Sequence, residues 1–144
     1  MMFFLILISF LSCKSDEIQI IDISHVDVNF SVKRYEIDFY NAKIEDLPKL
    51  KKKYAYLFPE SFTDSLAIAK INDKEEQELF NESQIIYKDF FEIENQLLSL
   101  FKHVKYYNAK FRSPNIVTML TNIDYDSRVI YADSLLLISL DVYL

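Results

Sequence analysis

Glycine is missing from all 144 residues. At an average usage of about 7%, roughly ten would be expected. Phosphate-cradling loops and nucleophile elbows need glycine where the backbone takes φ > 0 or lies against a ligand. GxGxxG, GxxxxGK(S/T) and GxSxG are therefore excluded, and the nucleotide-binding and serine-hydrolase readings lose their usual scaffolds. Tryptophan is absent as well, and proline occurs three times. Cysteine occurs once, at Cys13, so no intramolecular disulfide can form. Two histidines, His25 and His103, would both be needed for a zinc site together with carboxylates, and HExxH does not occur. His25 borders a strand pattern and His103 falls inside a helical one, so both read as structural or solvent-facing.

What is present is apolar and acidic. Hydrophobic residues make up 51% and aromatics 15%, a composition that can fill a core and argues against disorder. The length fits one domain. A net charge of −6 argues against a general nucleic-acid binder.

Residues 1 to 12, MMFFLILISFLS, carry no charged side chain. As a helix they would span about 18 Å, too short for a hydrocarbon core of about 30 Å. The run has the length of the apolar region of a signal peptide. Ser12 is a small residue before Cys13, as lipoprotein processing requires, and the polar KSDE follows at once. The expectation is a lipoprotein signal peptide over residues 1–12, acylation of Cys13 by fatty-acid (palmitate) chains, and a tether over 13–24. Phe10 and Leu11 depart from the usual lipobox, and no Lys or Arg precedes the apolar run. A secretory signal with a chance cysteine and a buried N-terminal strand therefore stay open as alternatives.

Further on, Val26, Val28, Phe30 and Val32 alternate as in a half-buried strand. Alternation resumes out of phase at Tyr35, Ile37 and Phe39, which predicts a bulge near Lys33 or Arg34. Asp46 and Pro48 are placed to open a short helix with a stripe of Ile44, Leu47, Leu50, Tyr54 and Leu57, ending at Pro59. Its Lys49, Lys51, Lys52 and Lys53 read as the solvated side rather than a lipid or partner patch. Asp73 and Glu76 form a capping-box variant. Ile86, Phe90, Ile93, Leu97, Phe101 and Val104 then follow at helical spacing, with a break expected near Asp89. Lys102, Lys105 and Lys110 gather at the carboxyl end, where they complement the helix dipole. FKHVKYYNAKFR mixes basic and aromatic residues as single-strand sites do, but the dipole and packing explain it without nucleic acid.

After Pro114, NIVTMLTNI, RVIYA and LLLISLDVYL read as three strands on short turns, expected to pair as an antiparallel meander. The fold class expected is α+β, with α/β-like features: an N-terminal strand, several helices, then the meander. The chain stops inside its most apolar strand, as the front part of a longer protein and an incomplete domain would.

Three carboxylates stand out. Asp124 and Asp126 sit in an acidic turn, with Asp133 in the next; such spacing suits Ca²⁺, but Asp is also a common turn former. Asp141 lies among apolar residues in a strand that reads as buried, so it must be paired or neutral. Arg128 or Arg112 across the sheet is its expected partner. No pattern supports serine or cysteine catalysis, and no cofactor or metal is expected.

Three strings carry a family resemblance: DLPKLKKKYAYLFP (46–59), LFKHVKYYNAKF (100–111) and, most strongly, VIYADSLLLISLDVYL (129–144). With a cysteine after a short signal, they resemble the GldB-type gliding-motility lipoproteins. The resemblance implies a non-enzymatic cell-envelope lipoprotein, on the periplasmic or outer-membrane side, needed for surface motility. It implies a membrane anchor at Cys13 and contacts with other motility or secretion components, with 25–144 the N-terminal part of the family's domain. A second reading makes the helices-then-strands order the front half of a zincin-like metallopeptidase relative, with its metal site beyond residue 144.

Overall fold

The computed structural model describes residues 21–144; the signal and acylation readings at 1–13 and most of the tether lie outside them. The class is α+β, as expected. β1 (Val32–Arg34) leads into helix α1 (Tyr35–Tyr40). A 3-10 turn, Ile44–Asp46, precedes α2 (Leu47–Lys53), and another, Ala55–Leu57, comes after it. Next come α3 (Asp64–Asn72), α4 (Lys74–Ile86) and α5 (Phe91–Tyr107). The chain closes with β2 (Asn115–Met119), β3 (Val129–Ala132), β4 (Leu135–Ser139) and a 3-10 turn, Leu140–Tyr143.

The four strands form one mixed sheet in the order β1-β2-β4-β3. β2 runs parallel to both β1 and β4, with Val32 facing Ile116 and Asn115 facing Leu135. Only β3 and β4 form an antiparallel hairpin, Val129 facing Ile138 and Ala132 facing Leu135. This corrects the meander. β4 inserts between β2 and β3, because the long 120–128 connection lets β3 take the outer edge. Ile116, Val117 and Thr118 of β2 are fully buried while β3 is exposed throughout, the gradient of a sheet with one covered centre and one open edge.

The second alternating stretch is also corrected. Tyr35, Ile37 and Phe39 belong to helix α1, not to a bulged strand. Its buried residues, Tyr35, Glu36, Phe39 and Tyr40, recur at helical spacing, and the apparent alternation took in only half of that set. Upstream, exposure alternates along residues 26–31 as expected, yet ladder pairing begins only at Val32.

The helices obey local chemistry. Asp73 caps α4 by accepting from the Glu76 N–H at 3.0 Å. The expected break near Asp89 separates α4 from α5, and Asp89 accepts from the Phe91 N–H at 2.9 Å. Pro48 lies in the first turn of α2, but Asp46 turns back to the Lys43 N–H (3.1 Å) instead of capping that helix. Ile44 is exposed, so the α2 stripe is carried by Leu47, Leu50 and Tyr54. α3 had no sequence signature of its own: Ala67 is its one buried residue, and Thr63 caps it through the Leu66 N–H. The core joins Phe39, Tyr54, Phe80, Phe90, Val117 and Leu140, bringing α1, α2, α4 and the sheet together.

Candidate functional site

Three parallel strands, β1, β2 and β4, end side by side, and the segments leaving their carboxyl ends build the site. In mixed and parallel sheets the carboxyl edge is where ligands lodge. β1 passes directly into α1, β2 into the loop 120–123, and β4 into the turn Leu140–Tyr143.

That loop is held open in an unusual way. Asn122 and Ile123 both take left-handed backbone angles, φ 60° and 59°. Glycine would adopt them freely, but the chain has none; for a β-branched isoleucine the conformation is strained. The Asp141 carboxylate, only 3% exposed, over-determines it. It accepts from the Thr121 N–H with both oxygens (3.1 and 3.0 Å) and from the Ile123 N–H at 2.7 Å. The partner of Asp141 is therefore the backbone of the loop after β2 and not Arg128 or Arg112, which corrects the expected ion pair. A carboxylate accepting backbone amides is compensated as well as one facing a guanidinium.

Beside this loop lies an apolar cavity of about 310 Å³, walled by Tyr35, Phe39, Phe62, Met119 and Leu120, with Tyr40 and Lys70 at its polar side. Glu76, from the first turn of α4, joins those two by accepting from the Tyr40 hydroxyl and pairing with Lys70. Burial first, and then the bond to Glu76, push the Tyr40 phenol far above its usual range; burial alone does the same to Tyr35. Both tyrosines stay protonated donors. A second buried acid stands outside the cavity lining: Glu36 takes Arg34 Nε at 2.5 Å and the Thr118 hydroxyl at 2.5 Å. Arg34 also donates to the Tyr87 carbonyl (3.0 Å) and lies 5.0 Å over the Phe90 ring. A cleft of similar size, about 330 Å³, opens between α1 and α2, but its charges Asp38 and Lys53 already pair at 2.5 Å. Chemically, the carboxyl-edge cavity can hold an apolar group against its aromatic walls, with the Tyr40–Glu76–Lys70 cluster as its polar border.

The match that decides the family covers all but the first fifteen residues: the model of the family described as gliding motility protein GldB matches residues 16–144. The chain belongs to the GldB family. It is accordingly a gliding-motility protein, and the family's designation as one of lipoproteins goes with a place at the cell envelope. No curated protein and no solved structure matches the chain significantly.

In this GldB-family chain the other sequence-predicted residues are scattered. Cys13 lies outside the described residues. Asp124 caps the 3-10 turn Tyr125–Ser127 through the Asp126 N–H (3.0 Å) and the Ser127 hydroxyl (2.7 Å). Those bonds, the Ser127 hydroxyl first, hold its carboxyl below the usual range. Asp126 is exposed in the same turn, and Asp133 sits in the β3–β4 turn at φ 53°. Among the described residues no group of three or more His, Cys, Asp or Glu side chains is placed to hold a metal. His25 meets the Tyr106 ring edge-on at 6.3 Å, and His103 bonds the Ser99 carbonyl at 2.8 Å. Among the described residues no helix is long and apolar enough to cross a membrane. Sequence reasoning missed the Tyr40–Glu76–Lys70 cluster. Glu76 signalled only a helix cap, and Tyr40 sat beyond a misassigned strand.

Proposed function

We propose that this GldB-family chain is a lipid-anchored, non-enzymatic component of the gliding machinery, held to the envelope membrane through acylated Cys13 on its periplasmic or outer-membrane side. Its folded part works by contact with other motility or secretion proteins of the envelope. The single observation that carries this reading is the family match over residues 16–144. The carboxyl-edge cavity supports the contact role, because an apolar recess with rigid aromatic walls accepts a partner's hydrophobic side chain at little entropic cost.

The test is genetic and chemical together. Deleting the gene, or replacing it with Cys13→Ala, stops cells from spreading on agar, and mass spectrometry of the membrane-extracted protein finds acyl chains on Cys13. Normal spreading of both strains, or an unmodified Cys13, overturns the reading.

A further inference from the structure

The carboxyl end of α5 gathers charge and aromatic surface that neither the core nor the cavity uses. Lys102, Lys110 and Arg112 enter no ion pair among the described residues. Between them in the chain stand exposed Tyr106 and Tyr107, 47% and 72% accessible, and Leu100 just before them is 53% accessible. Lysine and arginine interleaved with tyrosine is the chemistry of a membrane–water interface: the rings lie at headgroup level and the cations meet anionic lipid. In the other basic cluster, on α2, two of the four lysines are paired, Lys51 with Asp64 and Lys53 with Asp38.

The same pole is where the chain arriving from Cys13 joins the fold. His25 packs on Tyr106, Lys105 Nζ donates to the Asp27 carbonyl at 2.7 Å, and Phe30 meets Phe101 edge-on at 5.2 Å. Residues 25 to 30 thus run along α5 from its carboxyl end inward. The twelve residues from Cys13 to His25 reach at most about 40 Å. Of the acidic residues on segments meeting this end, Asp22 is turned onto the Ser24 N–H at 2.9 Å, Asp27 meets Lys105 through its carbonyl, and Asp133 lies in the turn whose Ser134 carbonyl bonds the Asn115 N–H.

We infer that the carboxyl end of α5, with Lys102, Lys110 and Arg112 around Tyr106 and Tyr107, is the face this protein lays on an anionic lipid membrane. This rests on the lipid-anchor reading only for its orientation; the affinity belongs to the surface itself. Acyl chains on Cys13 tether the domain without orienting it, and a cationic patch beside the tether adds a second, oriented contact. The patch sets which side faces the bilayer, and so holds the sheet's open edge and the cavity in a defined direction.

The test uses the mature chain starting at position 13 and carrying Cys13→Ser, so that no acyl chain contributes. Its sedimentation is measured with vesicles containing phosphatidylglycerol and with pure phosphatidylcholine, at low and high salt. Preference for the anionic vesicles, falling as salt rises, is expected. Lys102→Gln/Lys110→Gln/Arg112→Gln weakens that partitioning about fivefold per cation, roughly a hundredfold in all, with an unchanged melting curve. Lys49→Gln/Lys52→Gln leaves it unchanged. Equal binding to both vesicle types, a triple variant that binds like its parent, or an equal loss in the Lys49/Lys52 variant each overturns the inference. An unacylated Cys13 in cells would remove the anchor reading while leaving this vesicle result to stand by itself.

Discussion

Replacing Asp141 with alanine puts the carboxyl edge of the sheet under direct test. The carboxylate is buried and satisfies two backbone donors, the Thr121 and Ile123 N–H groups. Removing it leaves both without partners, at about 1–3 kcal/mol each. The loop then escapes its left-handed angles at Asn122 and Ile123, which returns about 1–2 kcal/mol. The net loss is about 3 kcal/mol, a large share of a total of roughly 5–15 kcal/mol for a domain of this kind. Asp141→Asn keeps one acceptor oxygen and loses about half as much. Urea unfolding monitored by circular dichroism reads the change as a lower midpoint with an unaltered slope, and heating reads it as a fall of roughly 12 °C. Asp124→Ala, which removes an exposed turn carboxylate, is the control and costs about 0.5–1 kcal/mol. An Asp141→Ala protein that unfolds no earlier than the Asp124→Ala control would refute the assignment of Asp141 as the group that holds this loop.

Three further expectations rest on other parts of the fold. Glu36→Gln strips the charge partner from Arg34 inside the sheet and lowers stability by about 3–5 kcal/mol, measurable in the same urea series. Asp73→Ala removes the α4 cap and costs about 1 kcal/mol, read as a shifted urea midpoint with the helical signal retained below it. Asp38 is a pH marker. Burial, the largest influence, would raise its pKa, but hydrogen bonds from Lys53 and Tyr54 outweigh it and hold the carboxyl below its ordinary value. With the folded pKa depressed, its stabilisation is complete above the unfolded value of about 3.9 and fades as pH falls through the folded one. Asp38→Asn therefore flattens the acid limb of stability against pH below about 4 and lowers the neutral plateau slightly. An acid limb identical to the parent's would contradict that role.

The places where sequence reasoning held share one property, namely that the deciding contacts are close along the chain. Asp73 and Glu76 mark the start of α4 because a cap bonds three residues ahead. Asp89 marks the break because its carboxylate meets an N–H two residues on. The β3–β4 hairpin arises from the Asp133–Ser134 turn. The buried character of Asp141 was legible from its apolar neighbours; its partner was not, because the Thr121 and Ile123 amides belong to a distant loop. Tyr35 to Tyr40 failed for a related reason. Six residues hold too little periodicity to separate a strand from a helix, and the choice was made by Glu36 reaching Arg34 and Thr118.

From the bare order of its amino acids this chain settles its α+β class, the start of α4 and the break before α5. It also determines that no glycine-dependent catalytic or nucleotide loop can be built. Capping, periodicity and steric freedom act within a few residues, so they can be read from one string. The parallel placing of β2 between β1 and β4, the strained loop pinned by Asp141, and the meeting of residues 25–30 with the end of α5 required the folded molecule. Each joins segments whose attraction depends on which surfaces the rest of the core has already covered, and no local pattern encodes that.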